Sequence, residues 1–153
     1  MSAGQRIGPL LSAGLLMGAG LGGFVDGIVF HQILQWHNML SGWLPPDNLV
    51  DAKINMLWDG LFHAAVWLMT VAGLAVLFKA GHRPDVFWSG RVFIGALWLG
   101  WGGFNVIEGA IDHHWLGIHH VMESAANPWP ADLAFLAFGV VLILAGWRLI
   151  VHR

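Results

Sequence analysis

The apolar positions of this chain gather into four long runs, roughly Gly8–Ile28, Leu61–Phe78, Val92–Ile111 and Leu133–Ile150, divided by short polar stretches. Each run approaches the roughly 20 residues a helix needs to cross a hydrocarbon layer. The pattern predicts an all-α fold, a four-helix transmembrane bundle in which residues 1–153 form a single integral-membrane domain. Composition agrees: 57% of the residues are apolar and 10% charged, which excludes disorder and argues against an ordinary soluble domain. Six of the seven Lys/Arg lie in the N-terminus, the 79–91 loop or the C-terminal end, and only Lys53 lies on the other side. The positive-inside rule then places both termini in the cytoplasm of a multi-pass protein of the bacterial inner membrane, with the loops near 40–55 and 121–131 outside.

The polar positions repeat. "DGIVFHQILQWHNM" (Asp26–Met39) aligns without gaps on "EGAIDHHWLGIHHV" (Glu108–Val121), an offset of 82 residues that also carries Gly18 and Gly20 onto Gly100 and Gly102. "DGLFHAAVWLMTVAG" (Asp59–Gly73) aligns on "DLAFLAFGVVLILAG" (Asp132–Gly146), with Leu136 where the first copy has His63. Two tandem two-helix repeats follow, about 8–79 and about 90–150, and a pseudo-twofold axis along the membrane normal would relate them. Gly14, Gly18 and Gly22 form a stripe of small residues of the kind that lets helices approach closely.

At about 1.5 Å of rise per residue, Asp26, Asp59, His63 and Glu108 share a depth of about 22–28 Å, with His31 and His113 at about 31–35 Å. His37, His119 and His120 fall beyond them, at the outer mouth. Ionisable groups at such depth are costly unless they pair or bind something. Asp59 and His63 are four residues apart on one helical face, as are Glu108 and Asp112, with His119 continuing that face; His113 and His120 share another. Carboxylates and imidazoles projecting inward from several helices are how bundles hold one or two transition metals. The candidate ligands are Asp26, His31, His37, Asp59, His63, Glu108, Asp112, His113, His119 and His120. With no Cys there is no thiolate, and zinc, iron, manganese or copper(II) suit the set. Asp51 and Asp132 read as helix caps.

"GFVDGIVFHQILQWHNML" with "GGFNVIEGAIDHHWLGIHHV" resembles a bacterial family of small predicted membrane proteins catalogued as domain of unknown function 2243, over nearly the entire chain. The resemblance implies a second His where this chain has Asn38. It also implies a link to a cytochrome-oxidase assembly module concerned with copper, which favours copper over iron or zinc. The reading is a transition-metal protein with a mono- or dinuclear carboxylate/histidine site near the periplasmic face, an enzyme only if the ion serves redox or hydrolytic chemistry. The alternatives are a copper-handling protein passing metal to a respiratory-oxidase assembly partner, and a protein binding haem b through two His. The lipid bilayer is a partner in every case, and self-association is open. The net charge of −2 without a basic cluster gives no support for nucleic-acid binding.

Overall fold

A computed structural model of the chain describes residues 6–152. Four helices are each long and apolar enough to cross a membrane. Helix α1 (Gly8–Val25) opens with a proline in its first turn, where the missing N–H leaves no bond unmade. Helix α2 (Leu49–Gly81) is capped by Asn48, whose side-chain oxygen accepts from the N–H groups of Val50 and Asp51 at 3.0 and 3.1 Å. Helix α3 (Gly90–Glu108) is capped by Ser89, and α4 (Trp129–Val151) again starts at a proline. The cap of α2 is therefore Asn48 and not Asp51. α2 also begins at Leu49 rather than near Leu61, because Lys53, Asn55 and Asp59 interrupt the apolar run without interrupting the helix. Hydropathy reads contact with lipid, whereas helicity depends on backbone bonding.

The central pair is α1 with α3; α2 packs on α1 and α4 on α3. Close approach of the central pair requires its glycines. A Cβ at Gly18 would strike the carbonyl of Leu97, and one at Gly100 would strike the carbonyl of Leu15, so two contacts 82 residues apart mirror each other. Close helix packing is thus the role of the glycine stripe. The outer faces of α2 and α4 expose Trp67, Leu68, Phe78, Val141 and Leu144, as contact with lipid requires. At one end of the bundle Arg6 exchanges backbone hydrogen bonds with the 85–87 segment (2.8 and 3.0 Å). The histidine-rich segments lie at the other end.

Candidate metal centre

Neither motif helix stops where its α-helix ends. α1 widens into a π-helical segment, Asp26–Ile33, and α3 into another, Gly109–Trp115. In an α-helix, residues five apart are turned roughly 140° from each other. Bonds spanning five residues, as from Leu34 N–H to Val29 O (2.8 Å) and from Leu116 N–H to Ile111 O (2.7 Å), bring such residues back onto one face. This aligns Asp26 with His31 and Glu108 with His113. The Nε2–carboxylate distances are 3.2 Å for the first pair and 2.9 Å for the second.

Each chain segment then reverses at a residue of positive φ, Gln35 (51°) and Gly117 (57°). Glycine adopts that conformation freely; glutamine does so at a cost. The reversal turns His37 and His119 back into the bundle, where they are 3% and 1% exposed. This corrects the expectation of an outer-mouth layer: extrapolating the helix past Ile33 and Trp115 carries these side chains outward, but the helix ends there. His119 accordingly does not continue the face of Glu108 and Asp112. It reaches Glu108 from a returning strand of chain.

The four imidazoles His31, His37, His113 and His119 form one cluster. His37 stacks on His119 with ring centres 4.5 Å apart, while His31–His37 and His113–His119 meet edge-on at 4.4 and 4.9 Å. Three of their outer nitrogens are committed. His37 Nδ1–H donates to the Val121 carbonyl (2.9 Å) and His119 Nδ1–H to the Met39 carbonyl (3.1 Å), each reaching into the other half. His31 Nδ1–H donates to Asp59 (2.9 Å), and His113 Nδ1 lies 3.5 Å from Asp132. A carbonyl oxygen only accepts, so these bonds place a proton on Nδ1 of His37 and of His119; His37 Nε2 keeps a lone pair, whereas His119 Nε2 is hydrogen-bonded to Glu108 Oε1. Burial, with the neighbouring His119 and His31, pushes the His37 pKa down to about 2, which keeps that lone pair free at neutral pH.

The Nε2 atoms of all four rings turn towards Asp26 and Glu108. His119 Nε2 lies 3.1 Å from Glu108 Oε1, and His37 Nε2 lies 3.9 Å from Asp26 Oδ1. Buried atoms left without a hydrogen-bond partner here include Asp26 Oδ1, Glu108 Oε2 and the Nε2 atoms of His31, His37 and His113. The His31–Asp26 and His113–Glu108 contacts are short but lack hydrogen-bond direction, which is why those nitrogens count as unpaired. Two triads have ligand atoms all within 4.8 Å of one another: His31, His37, His119 and Glu108, His113, His119.

Behind the imidazoles stand two buried carboxylates. Asp59 accepts from His31, from the Met39 N–H (2.8 Å) and from Asn38 (2.9 Å). Asp132 accepts from the Val121 N–H (2.9 Å) and from His120 Nδ1–H (2.6 Å). The two carboxylates thus hold matching loops in matching ways, and Asn38 and His120 perform the same task of donating to them. Asp132 is not a helix cap. Its alignment with Asp59 in the sequence is the signal of this role. Two candidates lie away from the cluster. His63 donates through Nδ1 to its own helix at Asp59 O (2.7 Å), with Nε2 packed over Gly27. Asp112 is half-buried beside Glu108, without a side-chain hydrogen bond among the described residues.

Four membrane-spanning helices with a buried histidine–carboxylate chamber at one end define a polytopic membrane protein whose polar core sits at helix ends. The chain belongs to the family of predicted membrane proteins designated DUF2243, whose model matches residues 13–153. No curated protein and no solved structure matches it.

Proposed function

We propose that this protein binds one or two transition-metal ions between two matched ligand sets, Asp26/His31/His37 and Glu108/His113/His119. The direction of the imidazoles carries the reading. A metal-ligating His characteristically gives its other ring N–H to a carboxylate or a backbone carbonyl, and His31, His37 and His119 do this while aiming Nε2 at the carboxylates. The spacings support it. Ligands about 2.1 Å from one ion stand about 3.0 Å apart at a right angle and about 3.4 Å apart at the tetrahedral angle. The His31–Asp26, His113–Glu108 and His119–Glu108 separations of 3.2, 2.9 and 3.1 Å match such edges. Without a metal ion, the two buried carboxylates would depend on protonated imidazoles to balance their charge.

Each set offers two imidazoles and one carboxylate, which suits iron(II), zinc, manganese or copper(II); the absence of thiolate disfavours copper(I). Copper(II) is the first candidate, iron and zinc the next. His119 belongs to both triads but turns only Nε2 towards them, so two ions would divide the cluster along the two halves of the chain. A bound ion would supply Lewis-acid or redox chemistry. Haem fits the cluster less well, because His37 and His119 stack face to face and leave no plane for a porphyrin between them. A cleft of about 410 Å³ lined by His31, Gln32, Asn38 and Asp59 gives the centre a polar opening. This supports a second reading, transfer of copper to a respiratory-oxidase assembly partner, for which rapid loss of copper to an external chelator is the test. The distribution of Lys and Arg supports a bacterial inner-membrane location with cytoplasmic termini and a periplasmic centre.

Elemental analysis of the purified protein, with optical and paramagnetic-resonance spectra, tests the main reading. One or two equivalents of metal are expected, and His37→Ala should remove most of it. A folded protein that takes up no copper, iron, zinc or manganese after incubation with each would overturn it.

A further inference from the structure

The two halves differ most along one groove. Between α1, α2 and α3 runs an apolar channel of about 480 Å³, bordered by Leu15, Ala19, Phe62, Phe104 and Ile107 and ending at Glu108 and Asp112. Leu15, Ile107 and Ile111 on its rim are 41%, 62% and 36% exposed, so it opens sideways, where the bilayer lies. The matching place in the other half is a cavity of only about 50 Å³ ending at Asp26 and Phe30. Trp101 fills it, standing 82 residues after Ala19 and packing its indole where a Cβ on Gly22 would lie. Leu21 likewise matches Gly103, and Phe30 matches Asp112. The substitutions that open the groove and the one that arms its end with a second carboxylate therefore fall on the same side.

The groove end is polar in a specific sense. Glu108 is 8% exposed; its Oε1 faces His113 and His119, while Oε2 is buried without a partner. Asp112 adds a carboxylate with no side-chain hydrogen bond among the described residues. Both groups are acceptors when ionised and call for a hydrogen-bond donor. Phe62 and Phe104, with ring centres 6.1 Å apart, flank the approach and favour a flat aromatic group. The remaining wall is aliphatic, and the volume lies within the roughly 300–1,000 Å³ of small-molecule sites.

We propose that the groove binds a lipid-soluble phenol or hydroquinone, its hydrocarbon tail along α1 and α3 and its hydroxyl at Glu108 and Asp112. The ligand enters from the bilayer, and its binding does not require a metal at the neighbouring imidazoles. A cationic amphiphile is disfavoured because its ammonium group would have to shed its water in an otherwise apolar channel.

Tritiated decylhydroquinone, offered to the protein in nanodiscs of phosphatidylethanolamine and phosphatidylglycerol with empty discs subtracted, tests the proposal. The expected result is saturable binding of one molecule per chain. The dimethyl ether of the same compound, lacking donors, should bind at least about tenfold more weakly. Ala19→Trp, which copies the closed half, should also weaken binding at least about tenfold. Gly103→Leu should do the same without disturbing the fold, since a Cβ there meets no atom within 4 Å. Both groove variants should retain the metal content of the parent, which separates failure here from failure of the metal centre. Uptake no greater than that of empty discs, equal affinity for the ether, displacement by decylammonium as readily as by the hydroquinone, or unchanged affinity in Gly103→Leu would each overturn the proposal.

Discussion

Replacing Asp132 with Ala separates a helix-start residue from one that holds the proposed metal centre in shape. The carboxylate is 1% exposed and accepts at 2.9 Å from the Val121 N–H and at 2.6 Å from His120, with His113 Nδ1 at 3.5 Å. A bond to an ionised acceptor contributes about 1.5–3 kcal/mol in soluble proteins, while interhelical bonds inside membranes average nearer about 0.6 kcal/mol. For two short bonds at the bundle end, a loss of about 2–3 kcal/mol of folding stability is expected. A helix cap alone would cost about 1 kcal/mol and leave the metal untouched. Removing the carboxylate that holds the 120–121 loop and stands beside His113 should also weaken metal binding about 10–100-fold. Unfolding by SDS in mixed micelles, followed by circular dichroism, reads the first quantity, and competition against a calibrated chelator reads the second. Asp51→Ala is the control, because that carboxylate meets only Asn48 at an exposed helix start. If Asp132→Ala unfolds like Asp51→Ala and retains parental metal affinity, the loop-holding role assigned to Asp132 is wrong.

Three further outcomes are expected. His63→Leu, which reproduces Leu136, should retain its metal, whereas His37→Ala should lose most of it; equal loss measured by elemental analysis would bring His63 back into the centre. In chelator-treated protein, the parent should lose more stability than His37→Asn as pH drops below about 6.5, because unfolded His37 then binds a proton that the folded form, with its pKa pushed down to about 2 and facing His31, His119, Asp26 and Glu108, refuses. The slope from this residue approaches about 1.4 kcal/mol per pH unit, and chemical-denaturation series for the two proteins that run parallel from pH 7 to 5 would contradict it. Because the chain has no Cys, a single cysteine replacing Asp47 should react with an impermeant maleimide added outside intact cells, and one replacing Pro84 should not; the reverse labelling would invert the proposed topology.

Much of this architecture was legible in the order of residues. Four spans follow from run length, because hydrocarbon admits no unpaired backbone over that distance. The match of Asp26–Met39 to Glu108–Val121 marked which acidic and histidine residues belong together, and the glycine stripe marked where helices touch. The placement of His37 and His119 was not legible. A helical count carries them outward, and only the π-helical ends with the reversals at Gln35 and Gly117 turn them inward. No local propensity announces a π-helical segment; it persists here because buried acid–histidine alignment and packing compensate for its weaker bonding. The role of Asp132 depends on a loop that reaches it from eleven residues away, and the distance of His63 from the cluster depends on which face α2 presents to α1. The groove beside Glu108 is a matter of volume, set by Ala19 on one side and Trp101 on the other, and volume exists only once helices are packed. Pattern along the chain sets which residues can meet; backbone geometry at the helix ends decides which of them do.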